Sequence, residues 1–143
     1  MDGLCGKLLL MMKQAIRKTL MAGIAAVVLQ APAATSVWDG VYTDDQATRG
    51  AEVFNKTCAG CHDLNGEFAG TAFMSMWKGQ TAFDLFDKMR NEMPMDNPGS
   101  LKPETYADVE AFIFKTNAFP SGKGDLQPKD DILKQIKIEP KGK

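Results

Sequence analysis

Cys58-Ala59-Gly60-Cys61-His62 places two thiols and an imidazole within five residues, and His62 is the only histidine among 143 residues. Two cysteines three apart followed directly by histidine form the attachment signature of c-type haem. The thiols add to the two vinyl groups of the porphyrin, and the imidazole becomes the proximal ligand of the iron. Competing readings fail on residue supply. A structural zinc site needs four protein ligands, and no second Cys/His pair exists. A thioredoxin-like C-x-x-C sits beside a βαβ unit, which the chain lacks. A Cys58–Cys61 disulfide is the bland alternative in an exported protein, but it leaves His62 unexplained.

The other face of the iron needs a ligand from elsewhere. With no second histidine, bis-histidine coordination within one chain is excluded. Methionine is the usual remaining partner in electron-carrying sites, where its soft thioether favours ferrous iron and raises the potential. Met74, Met76, Met89, Met93 and Met95 lie after the signature. Met89 falls on the buried face of a helix and reads as core. Met74 and Met76 follow the signature closely and read as pocket lining, since methionine more often fills space than binds metal. Met93 and Met95 stand in a loop that can turn a side chain toward the iron. Met93 is the assignment, with Met95 as the alternative.

Three helices position these groups. Thr43-Asp44-Asp45-Gln46 has the form of a capping box, and apolar or small residues then recur at helical spacing to predict a helix over 44–57 running into the signature. Residues 63–79 contain glycines and read as an irregular wrap carrying Phe68, Phe73, Met74, Met76 and Trp77. Thr81 can cap a second helix whose apolar face is Ala82, Leu85, Phe86, Met89 and Met93. Met93-Pro94-Met95-Asp96-Asn97-Pro98-Gly99 ends it as a loop. A third helix opens at Pro103, with Leu101 and Tyr106 as a hydrophobic staple, and stops at Asn117. Its apolar residues cover much of its surface, which predicts a buried helix. Residues 121–143 form a Gly- and Lys-rich tail whose amphipathic stretch, 131–138, packs back on the body. No strand pattern is visible, and the class is all-α.

The N-terminus reads differently. Lys13, Arg17 and Lys18 precede an uncharged run from Leu20 to Leu29, closed by Ala31-Pro32-Ala33. Basic, then apolar, then A-x-A is a secretory signal peptide over 1–33, leaving 34–143 as the mature domain. The apolar run is about half the ~20 residues a spanning helix requires, so no stable membrane insertion is expected. Loss of 1–33 removes Lys7, Lys13, Arg17, Lys18 and Asp2, leaving 13 Lys/Arg against 17 Asp/Glu and a net charge of −4. That acidic balance argues against nucleic-acid binding and suits docking on a basic partner face.

The signature, Met93-Pro94, Pro98-Gly99-Ser100-Leu101 and Tyr106-Ala107-Asp108-Val109-Glu110-Ala111-Phe112, in this order, resemble a class I cytochrome c. The small bacterial monohaem cytochromes found with periplasmic dehydrogenases are the nearest likeness, over about residues 37–126. The resemblance implies three main helices wrapped around one covalently bound haem, with Cys58, Cys61, His62 and Met93 as its cofactor residues and His62 and Met93 as axial ligands. It also implies that Gly50 and Phe54 meet Tyr106, Ala107 and Phe112 where the first and last helices cross. The small Gly50 would let those helices approach closely. One departure stands out: these cytochromes carry a proline soon after the signature, whose carbonyl accepts the proximal imidazole N–H, and residues 63–80 contain none. The partner of the His62 ring is therefore open.

The function expected is an exported, periplasmic electron carrier, not an enzyme, cycling between ferrous and ferric iron. Its redox partners would be a periplasmic dehydrogenase as donor and an oxidase or another cytochrome as acceptor. The alternatives are a haem enzyme or gas sensor with an open distal position, for which Arg90 is the one nearby polar candidate, and an electron-transfer subunit of a larger dehydrogenase.

Overall fold

The computed structural model describes residues 35–142. The signal-peptide reading of 1–33 falls outside them. Strand β1 (Thr35–Ser36) is followed by a single 3₁₀ turn (Val37–Asp39), then helices α1 (Asp44–Val53), α2 (Leu64–Glu67), α3 (Gly70–Trp77), α4 (Ala82–Glu92), α5 (Pro103–Thr116) and α6 (Asp130–Leu133), and finally β2 (Ile136–Lys137). The fold is mostly helical, as expected. α1, α4 and α5 are the three helices foreseen, while the stretch read as irregular carries α2 and α3.

Local chemistry explains the helix starts. Thr43 and Thr81 each accept a backbone N–H with the side-chain oxygen, from Gln46 and Asp84 respectively. At α4 the box closes, because Asp84 accepts the Thr81 N–H at 2.7 Å. At α1 it does not. The Gln46 side chain turns inward instead, donating to the Leu126 carbonyl at 3.0 Å and accepting the Leu126 N–H at 2.6 Å. A buried amide is thus satisfied at both ends while it ties the C-terminal segment to the first helix. Lys102 provides no side-chain cap to α5, whose Pro103 occupies the first turn.

α1 and α5 cross at Gly50. A Cβ there would stand 1.8 Å from the Asp108 carbonyl oxygen and 2.9 Å from the Phe112 Cβ, so only glycine admits this approach. One turn on, the Phe54 and Phe112 rings pack with centroids 5.5 Å apart. The expected Gly50/Phe54 crossing is therefore made with Asp108 and Phe112. α4 buries Ala82, Leu85, Phe86 and Met89, and Phe86 meets Tyr106 of α5 edge-on at 6.3 Å. Full burial of one such side chain contributes about 1.5–3 kcal/mol.

The C-terminal segment buries Leu126, Leu133, Ile136 and Ile138. Although no strand pattern is visible in the sequence, a two-residue pair joins the tail to the start of the domain: β2 pairs in parallel with β1, Thr35 opposite Ile136 and Ser36 opposite Lys137. Trp38 Nε1 donates to the Glu139 carbonyl at 2.8 Å beside this pair.

Candidate functional site

The α-helical ladder of α1 gives way at Phe54 to a π-helical turn spanning Phe54–Cys58. Such insertions cluster at functional sites because they redirect the following side chains. The turn is closed by Ala59 N–H donating to the Phe54 carbonyl at 2.9 Å, and the signature then curls so that His62 N–H reaches the Cys58 carbonyl at 3.0 Å. The two cysteines and the histidine are thereby drawn onto one tight turn at the end of the first helix. Cys58 is half-buried, Cys61 is exposed, and both are free thiols, which leaves the disulfide alternative without support. Burial pushes the Cys58 thiol above its ordinary pKa.

The partner of the His62 ring is Glu67. His62 Nδ1 lies 2.8 Å from Glu67 Oε2. An ionised carboxylate only accepts, so Nδ1 carries a proton and donates, and Nε2 is the nitrogen turned away from this bond. The other carboxylate oxygen, Oε1, accepts the Asp63 N–H at 3.3 Å. These hydrogen bonds, that of His62 foremost, hold the Glu67 carboxyl below the usual glutamate range. Phe68 packs edge-on against the imidazole at 5.3 Å and closes another side of it. The segment itself is pinned by Asn117 at the end of α5, which donates to the Phe68 carbonyl at 2.7 Å and accepts the Gly70 N–H at 2.9 Å. Sequence reading left this partner open. The missing proline after the signature was the signal that another acceptor was needed, and α2 is the short helix that returns Glu67 to His62.

Met93 is the C-cap of α4 and is half-buried, whereas Met95 is 79% exposed. The Met93 backbone is held from two sides: its N–H donates to the Met89 carbonyl at 2.9 Å, and its carbonyl accepts the Tyr106 hydroxyl at 2.6 Å. Tyr106 thus ties the proline-rich loop to α5, a role that the sequence did not reveal. Met89 is core, as expected, and Met76 is 58% exposed. Met74 lines a hollow of about 290 Å³ with Trp38, Gly70, Lys78, Asn117, Phe119 and Pro140, which includes no residue of the signature. Arg90 is engaged elsewhere, bonded to Asp87 at 2.6 Å and stacked over the Phe86 ring.

The donor set fits a covalently held haem. Two free thiols three residues apart match two vinyl groups, and an imidazole held through Nδ1, with Nε2 on its other side, matches an iron. One further observation agrees: the Trp77 indole N–H is buried without a partner among the described residues. Buried donors are rarely left unsatisfied, and an acceptor on a bound group would satisfy this one. Among the described residues, no three His, Cys, Asp or Glu side chains converge to hold a bare metal ion. No described helix is long and apolar enough to cross a membrane.

Residues 45–113 match the model of the family described as cytochrome C oxidase, cbb3-type, subunit III. The match begins in α1 and ends in α5, spanning the signature, Glu67 and Met93. No curated protein and no solved structure matches the chain.

Proposed function

From the premise that the chain is a class I c-type cytochrome, a haem electron-transfer protein, we propose that it is an exported monohaem carrier with His62 and Met93 as axial ligands. Cys58 and Cys61 would hold the single haem by thioether bonds. The carrying observation is the His62–Glu67 pair, which fixes the proximal imidazole in the tautomer that offers Nε2 to iron. When bound, the haem supplies a one-electron ferrous/ferric couple. The chain's share is to orient His62, present Met93 from a loop anchored by Tyr106, and keep the surrounding space apolar. No side chain has to move a proton or attack a substrate.

Met93 is preferred to Met95 because its backbone is held and its side chain is half-buried. The open-site enzyme reading loses its distal donor, since Arg90 is occupied by Asp87 and Phe86. Export to the periplasm is supported by the signal-peptide pattern in 1–33, and the likeness to cytochromes found with dehydrogenases supports a dehydrogenase as donor, with an oxidase or further cytochrome as acceptor. A dehydrogenase subunit is the form this takes if the donor is held permanently.

Intact mass of the exported protein is expected to show one haem on a chain shortened by processing. Ferric wild type is expected to show the weak near-infrared thioether-to-iron band, and Met93→Leu to abolish it and lower the potential. If Met95→Leu abolishes the band instead, the ligand is Met95. Rapid carbon monoxide binding by the reduced wild type would contradict a closed distal face.

A further inference from the structure

Orientation alone does not require a carboxylate beside His62. A backbone carbonyl would accept the Nδ1–H equally well and would add no charge. Glu67 places a full negative charge 2.8 Å from Nδ1, and the group is held, not swinging. Its second oxygen is bonded to the Asp63 N–H, α2 fixes its backbone, and the following residue is clamped to Asn117. A carboxylate that accepts from a ligating imidazole polarises the N–H bond and makes the opposite nitrogen a stronger donor. A stronger donor, and a negative charge nearby, stabilise the more positive ferric iron over the ferrous.

We infer that Glu67 is a positioning residue that sets the reduction potential of this cytochrome below what a neutral acceptor at the same place would give. The inference rests on His62 being the proximal ligand. The Glu67 side chain is 48% exposed and the His62 side chain 25%, so water screens part of the charge. Losing such a partner typically costs about 10–100-fold in metal affinity or activity, and the low end of that scale is carried over to the ferric/ferrous equilibrium as the expectation. About tenfold in the ferric/ferrous equilibrium corresponds to 59 mV for a one-electron couple.

Spectroelectrochemical titration of the haem-loaded wild type, Glu67→Gln, Glu67→Ala and Glu104→Gln tests it. Glu67→Gln keeps an amide oxygen in reach of Nδ1 but loses the charge, and its potential is expected to rise by the equivalent of about tenfold. Glu67→Ala is expected to rise at least as far, with faster solvent exchange of the His62 Nδ1 proton. Glu104→Gln removes the same charge from the first turn of α5 and is expected to leave the potential in place. A Glu67→Gln potential equivalent to less than a twofold change, or an equal rise in Glu104→Gln, overturns the inference. The functional reading is judged on other data from the same samples: the haem mass and the near-infrared band of the wild type. A band that depends on Met95 shifts the distal assignment and leaves the Glu67 comparison standing, whereas protein without haem overturns both.

Discussion

Glu110 is the only acidic side chain buried in the core among the described residues. It is 0% exposed, and neither carboxylate oxygen has a hydrogen-bond partner among those residues. Desolvation holds its pKa well above the ordinary value of 4.5, so the native carboxyl keeps its proton to a higher pH than the solvated group does. In the unfolded chain the same group is solvated and ionises above pH 4.5 or so. Between those two pKa values the unfolded state holds fewer protons than the native state, so stability falls as pH rises. Below the unfolded pKa both states are protonated and the penalty vanishes. The slope is about 1.4 kcal/mol per pH unit over the range in which the unfolded group is ionised and the native one is still protonated. Glu110→Gln preserves size and polarity but cannot ionise. Urea unfolding of both haem-loaded proteins at intervals from pH 4 to 8 isolates this one group, because the other titrations cancel in the difference. The two proteins are expected to be similar near pH 4, with Glu110→Gln gaining on wild type steadily above pH 5. A difference that stays flat from pH 4.5 to 7 would refute the reasoning, because it would mean that the native carboxyl ionises as readily as the unfolded one.

Gly50→Ala is expected to destabilise by about 1–3 kcal/mol or more, since the new methyl meets the Asp108 carbonyl at 1.8 Å. A raised urea midpoint, as helix propensity alone would give, would count against the close crossing. Asn117→Ala removes the donor to Phe68 and the acceptor of Gly70. It is expected to cost about 1–3 kcal/mol and to speed amide exchange selectively over 63–70. Uniform exchange across the chain would show that Asn117 does not clamp that segment.

Thr81, Met89 and Asn117 were legible in the sequence because each acts within a turn or a helical period of its own position. Gln46 was not, because its side chain abandons the local box for a partner 80 residues away. α2 and α3 were hidden by their glycines. Gly70 has φ +58°, which reads as a break although it opens a helix whose Phe73 and Trp77 are buried. The strand pair escaped because two residues are too few to show a period of two. At the site, the signature spells out its own chemistry in consecutive residues. Glu67 belongs to it only through the turn that α2 makes, and Tyr106 only through the packing of two helices. Glu110 looks in the sequence like any solvated helix glutamate, and burial alone distinguishes it.

The pairing of β1 with β2 bears on when the fold can close. Thr35 and Ser36 find their hydrogen-bonding neighbours about a hundred residues later, at Ile136 and Lys137, and Trp38 waits on Glu139. Contacts of such separation form late, because the loop they close is nearly the whole domain. A chain made from its N-terminus therefore cannot complete the Trp38 contacts, with Phe119 and then Glu139, until those residues have been made.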